Sequence, residues 1–253
     1  MTGGSLAGRT VLITGASGGL GEHFARTCVD AGAAVVLAAR RTDRLETIVK
    51  DLQAQGARAM AVAMDVTSEV SVQCAFDAAQ AAMGPIHSVV ANAGIEISGP
   101  VDRLSVDDWD QVFDVNVRGT FLTAREAQRR MRDAGIAERG RIVLISSITA
   151  RITNPGIVPY SASKAAVSHM GRLLAKEWVR TGPNVNCISP GYIGTELVAD
   201  WFASEGGQKQ IQRFPRKRLA EAQGLDGALL FLLSDAAANT TGTDIVIDDG
   251  QTL

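Results

Sequence analysis

Thr14-Gly15-Ala16-Ser17-Gly18-Gly19-Leu20-Gly21, TGASGGLG in one-letter code, follows an apolar run at 10–13 and opens an amphipathic segment at 19–31. Glycines 15, 19 and 21 stand in the spacing Gly-x-x-x-Gly-x-Gly. Glycine lets a backbone turn sharply and lets a second group approach it closely. A helix that starts at such a turn presents unpaired N–H groups and the positive end of its dipole. Strand, turn and helix N-terminus together form a cradle for a pyrophosphate.

The same alternation continues along the chain. Short apolar runs at 34–38, 59–63, 88–91, 142–145, 185–188 and 244–247 are mostly continuous, as expected of strands buried on both faces. Longer helical segments lie between them, at 43–55, 69–83, 109–134, 160–181 and 223–233. Asp43 and Ser68 stand where helix N-caps are expected. Strands separated by helices build a parallel sheet through right-handed crossovers. The expected fold is α/β: one doubly wound domain over 1–253, with about seven parallel strands and helices on both faces. The longest stretch without a periodic pattern, about 190–220, carries Trp201, Phe202 and Phe214 among glycines and charges. Its part at 191–219 is expected to cover a ligand.

Tyr160 and Lys164 stand four residues apart in YSASK, on one face of a helix. A phenol ordinarily titrates near ~10. A neighbouring ammonium favours its ionised form and makes it a tunable proton donor. Ser147 ends the strand run RIVLIS, thirteen residues before Tyr160. That edge of an open α/β sheet is where ligands bind, and a hydroxyl there can bond an oxygen as charge develops on it. Ser146 is the competing serine, and the thirteen-residue interval favours Ser147. A phosphate-bearing cofactor beside a tuned acid points to hydride transfer at a carbonyl or alcohol.

An NAD site usually carries an acid after the second strand, bonded to the ribose 2′-OH. Here that strand ends at Ala39 and Arg40-Arg41 follow. A guanidinium can grip a 2′-phosphate through two bonds. NADP is therefore the expected cofactor, with NAD still admissible.

With these residues in hand, the chain resembles the short-chain dehydrogenase/reductase superfamily, in its compact single-domain branch with a Rossmann fold. The likeness spans essentially the whole chain. In it, Gly15, Ser17, Gly18, Gly19, Leu20 and Gly21 match the cofactor turn, and Asp65-Val66 match the acidic position that holds the adenine. Asn92, Ala93 and Gly94 match the segment beneath the cofactor, with Ala91 where the family carries a first asparagine. Asn116 matches a helix asparagine that supports a water relay to the lysine. Ser147, Tyr160 and Lys164 match the catalytic set. Pro190, Gly191, Ile193 and Thr195 match a turn that touches the nicotinamide. The resemblance further implies strand order 3-2-1-4-5-6-7 and a homotetramer or homodimer. At the C-terminal end, Asp249 stands where the family commonly has glycine.

Composition narrows the remaining classes. The 253 residues are 46% hydrophobic, enough for a sizeable core, with a net charge of −2 that argues against nucleic-acid or anionic-membrane partners. The three histidines and three cysteines show no metal-ligand spacing, so no metal is expected. Unpaired cysteines and a start without an apolar h-region point to a soluble, cytoplasmic protein. The expected partner is a small carbonyl or alcohol. A non-catalytic dinucleotide sensor would be expected to lack Tyr160 or Lys164. A nucleotide-sugar epimerase or dehydratase would need more sequence after Lys164. An apolar pocket is expected from Ile152, Pro155, Ile157, Val158, Tyr192, Trp201 and Phe202, with steroid, acyl thioester, aromatic ketone and quinone all open.

Overall fold

The computed structural model describes residues 4–195 and 199–253. Its centre is a seven-stranded, all-parallel sheet in the order β3-β2-β1-β4-β5-β6-β7. The strands are β1 (Thr10–Thr14), β2 (Ala34–Ala39), β3 (Ala59–Ala63), β4 (Ser88–Ala91), β5 (Arg141–Ile145), β6 (Asn184–Pro190) and β7 (Asp244–Ile247). Each matches an expected run; β1, β2 and β5 are one residue longer than expected and β6 three.

Alternation within each strand sends side chains to two separate cores. Val11 and Ile13 of β1 join Val35, Leu37, Val143 and Ile188 on one face. There they pack against Phe24 of α1 (Gly19–Asp30), Leu45 of α2 (Thr42–Ala54) and Leu229 of α9 (Asp226–Leu233). Leu12, Val36, Val89 and Leu144 point to the other face. They meet Phe76 of α3 (Glu69–Met83), Leu122 of α5 (Gly119–Asp133) and Val167 of α6 (Val158–Trp178). Both sides of β1, β2, β4, β5 and β6 are buried, which is why their sequences read as continuous apolar runs, while the edge strands β3 and β7 are only partly covered.

Ser68 caps α3 by accepting from the Ser71 amide. Asp43 is not an N-cap: α2 begins one residue earlier, at Thr42, so Asp43 lies in the first turn near the positive dipole end. The segment read as one helix over 109–134 divides into α4 (Val106–Phe113), a π-turn at Asp114–Arg118, and α5. A capping box between Ser105 and Asp108 starts α4. The stretch at 190–220 is more regular than its sequence suggests. It carries α7 (Ala199–Ala203) and α8 (Glu205–Arg213), while the expected cover's residues 196–198 lie outside the described residues.

Candidate active site

A cavity of about 520 Å³ opens along the carboxyl edge of the sheet. It lies where the strand order reverses between β1 and β4, the switch point of a doubly wound sheet. Gly21 and Asn116 stand behind its wall, and every other site residue expected from the sequence lines it.

At one end lies the glycine turn. Gly15 adopts φ +66°, and a Cβ there would stand 2.9 Å from the Ala93 Cα. A Cβ on Gly21 would meet the Gly15 carbonyl at 2.3 Å and the Asn92 amide nitrogen at 2.8 Å. The turn is therefore compressed onto the strand beside it. Asn92 holds it from below, donating from Nδ2 to the carbonyls of Thr14 at 3.0 Å and Gly15 at 3.4 Å. The Thr14 hydroxyl accepts from the amides of Asn92 and Ala93, both at 3.0 Å. Residue 18 caps α1 without a side chain, so the first-turn amides stay directed at the cavity.

The arginine pair borders the same turn. Arg41 donates to the Ser17 hydroxyl at 3.0 Å, while Arg40 is exposed. Asp65 accepts from the Thr67 amide and hydroxyl at 3.0 and 2.8 Å. Those bonds, aided by the Arg40 charge, hold its carboxyl below the ordinary range. Val66 is buried against Gly119 at the head of α5.

At the other end, α6 crosses β6 closely. A Cβ on Gly171 would lie 2.4 Å from the Cys187 Sγ. This close crossing brings Tyr160 and Lys164 over the end of β5. Lys164 Nζ donates to the Ile145 carbonyl at 2.9 Å and lies 5.5 Å from the centre of the Tyr160 ring. Burial pushes the lysine down to about 8. The Tyr160 phenol is pushed well up, first by burial and then by the Glu96 carboxylate, with a hydrogen bond from Ser147 opposing. In this state the protein therefore holds the phenol in its protonated, donor form.

Ser147 and Ser146 face different partners. The Ser147 Oγ accepts from the Thr149 amide at 3.1 Å and the Thr149 hydroxyl at 3.0 Å. A hydroxyl with both lone pairs so engaged keeps its own proton for another acceptor. Ser146 instead donates to the Lys164 carbonyl at 3.0 Å, fixing α6 to the strand end.

Asn116 is fully buried in the π-turn. Its Oδ1 accepts from the Ile95 amide at 2.8 Å. Its Nδ2 donates to the Ile95 carbonyl and the Ser163 hydroxyl, both at 2.9 Å. Asn116 Oδ1 and Lys164 Nζ both press on Gly94, where a Cβ would stand 3.3 and 3.4 Å from them.

The expected apolar pocket needs correction. Of the seven residues named for it, only Tyr192 lines the cavity. Phe202 is buried beneath Tyr192, at 5.4 Å between ring centres, and Trp201 is 51% exposed. The cavity wall instead includes Ile95, Glu96, Val115 and Ile148, which the sequence reading had not placed there. Their signal was position alone: each lies within two residues of a matched motif.

A glycine-turn cradle at a switch point, with a serine, a tyrosine and a lysine converging beside it, defines a nucleotide-dependent α/β enzyme. The model of the short chain dehydrogenase family matches residues 9–206. The chain belongs to that family of oxidoreductases. It is 34% identical to gluconate 5-dehydrogenase of Gluconobacter oxydans over 250 residues, covering 98% of this chain and 96% of that one. A short-chain type dehydrogenase/reductase from Mycobacterium marinum superposes with a TM-score of 0.93 at 36% identity, covering 98% of this chain and 97% of that one. A gluconate 5-dehydrogenase from Burkholderia cenocepacia, solved in complex with NADP and tartrate, gives a TM-score of 0.92 at 33% identity, over 98% and 96% of the two chains. Among the described residues no helix is long and apolar enough to cross a membrane.

Proposed function

We propose that the chain is an NADP-dependent oxidoreductase that interconverts a carbonyl and a secondary alcohol, acting as one dinucleotide-binding and catalytic domain. One observation carries this reading. The Ser147 hydroxyl, the Tyr160 phenol and the Lys164 ammonium meet in the cavity that the glycine turn closes at its far end. The donor set there suits a dinucleotide phosphate: open amides at the start of α1, the Ser17 hydroxyl, and Arg40 and Arg41 where an acid would repel a 2′-phosphate.

NADPH, when bound, supplies the hydride. Ser147 donates its free proton to the substrate oxygen and fixes the carbonyl. Tyr160 gives its proton to the same oxygen as negative charge grows there, and takes it back in the oxidation direction. Lys164, anchored on the Ile145 carbonyl, places a positive charge beside the tyrosine ring and steadies the anion left behind. Asn116 holds the backbone at Ile95 that forms part of the wall. The segment at 191–219 covers the substrate. Free thiols at Cys28, Cys74 and Cys187 fit a cytoplasmic setting.

Loss of NADPH absorbance with a panel of ketones tests the reading. Tyr160→Phe lowers turnover by on the order of 10²–10⁴ while cofactor binding persists. Arg40→Asp moves the preference toward NADH in fluorescence titrations. Wild-type turnover in Tyr160→Phe refutes the site. Equal affinity of the wild-type protein for NADH and NADPH refutes the cofactor assignment.

A further inference from the structure

Glu96 is an acid in the substrate end of the cavity that none of the chemistry above uses. It follows Ile95, whose amide and carbonyl are both clamped by the buried Asn116 side chain. Its backbone position is therefore set by the protein interior. The side chain is half-buried and lines the same cavity as Ser147, Tyr160, Lys164 and Tyr192. Its Oε1 accepts a hydrogen bond from the Ser98 hydroxyl at 2.7 Å. Among the described residues no lysine or arginine forms an ion pair with it.

The Glu96 charge is felt at the reacting centre. It raises the phenols of both Tyr160 and Tyr192, second to burial at the first and after burial at the second, where a bond to Gln210 opposes. The Lys164 ammonium is bonded to the Ile145 carbonyl rather than to Glu96. Tyr192, the aromatic wall of this region, has its hydroxyl held by the Asn154 amide at 2.7 Å. The substrate end is thus a polar corner with one carboxylate that, among the described residues, forms no ion pair with a lysine or arginine.

We propose that Glu96 selects the substrate by charge: it accepts a hydrogen bond from a donor group, hydroxyl or ammonium, carried beside the reacting carbon, and it excludes substrates with a carboxylate there. The proposal rests on the oxidoreductase reading of this site. A carboxylate brought against the Glu96 carboxylate, which no lysine or arginine pairs directly, meets like-charge repulsion. Selection therefore works as much by rejecting anions as by binding donors.

Three ligands of matched size isolate the charge: threitol is neutral, tartrate is a dianion, and 1-amino-1-deoxythreitol is a cation. Their affinities for the NADP-loaded protein are measured by calorimetry, in wild type, Glu96→Gln and Glu96→Asp. The wild-type protein is expected to prefer threitol and the amine over tartrate by at least about tenfold. Glu96→Gln removes the charge at nearly constant shape and is expected to shrink that ratio at least about fivefold. Glu96→Asp keeps the charge and the discrimination. An unchanged ratio in Glu96→Gln, a wild-type preference for tartrate, or no binding of any ligand overturns the proposal. NADPH consumption with the ketone panel separates the two readings. Turnover without charge discrimination removes only the role of Glu96. Charge discrimination without turnover removes only the hydride-transfer reading.

Discussion

The hydroxyls of Ser146 and Ser147 are adjacent in sequence, but one bonds the backbone of α6 and the other keeps a proton for the cavity. Ser147→Ala is therefore expected to cut turnover with little change in melting temperature. Ser146→Ala is expected to remove the side-chain bond that ties α6 to the strand end, costing about 1 kcal/mol of stability, with a milder effect on rate. Thermal melts beside initial rates separate the two, and the reverse pattern would exchange their roles. Lys164 makes a second prediction. Burial lowers it from 10.5 to about 8, so between those values the unfolded chain binds the proton that the folded chain has released. Stability then rises with pH across that window, because the unfolded state holds more protons there. The penalty is fully present below about 8. Lys164→Met is expected to lose this part of the slope in denaturant titrations at successive pH values; an unchanged slope would show that the ammonium is not desolvated. The thirteen-residue interval to Tyr160 favours Ser147, the serine whose hydroxyl lines the cavity with a proton to give. The role of Thr149 was not legible, because a hydroxyl two residues downstream has no motif of its own.

At the scale of elements, the legible parts were those whose burial leaves a local pattern. The inner β strands read as apolar runs because both faces are covered. The π-turn inside 109–134 was not legible, because Asn116 bonds residues 21 and 47 positions away and the periodicity continues on both sides. Helix α8 was hidden by its own glycines, which lower helix propensity. They are there for a close approach: a Cβ on Gly207 would stand 2.2 Å from the Trp201 carbonyl, and one on Gly206 would stand 2.9 Å from the Trp201 ring. The Gly206-Gly207 pair is thus a packing device for α7 and α8. Phe202 of α7 packs against Tyr192 of the cavity wall, so the proposed cover is expected to respond to a ligand through these two helices together. Amide exchange in α7 and α8 is expected to slow when NADP and a substrate analogue bind. Equal protection with and without ligand would leave the segment a fixed wall. Gly207→Ala is expected to speed exchange in the same two helices, since the methyl group forces them apart.

For the whole molecule, strand order came from family resemblance, since apolar runs do not state which strands are neighbours. The sheet follows that order, reversing at β1 and β4, and the reversal brings the glycine turn and the β5–α6 residues to one cavity. The proposed assembly, a homotetramer or homodimer, concerns the outer surface. Phe121 on α5 is 38% exposed and Leu173 on α6 is 57% exposed, although both helices pack their inner sides on the sheet. Val106 and Trp109 on the neighbouring α4 are exposed as well. Covering one large apolar side chain contributes about 1.5–3 kcal/mol, and a stable interface needs roughly 1,000 Å² or more in all. Two-fold pairing of this surface would bury each such residue twice, once per copy. Light scattering after size exclusion is expected to give two or four times the chain mass of 26.6 kDa. The double change Phe121→Glu with Leu173→Glu places charges in that contact and is expected to yield the single-chain mass, with the far-ultraviolet circular dichroism unchanged. A wild-type protein that runs as one chain at micromolar concentration would dismiss the assembly. A double variant that keeps the wild-type mass would move the contact to another face.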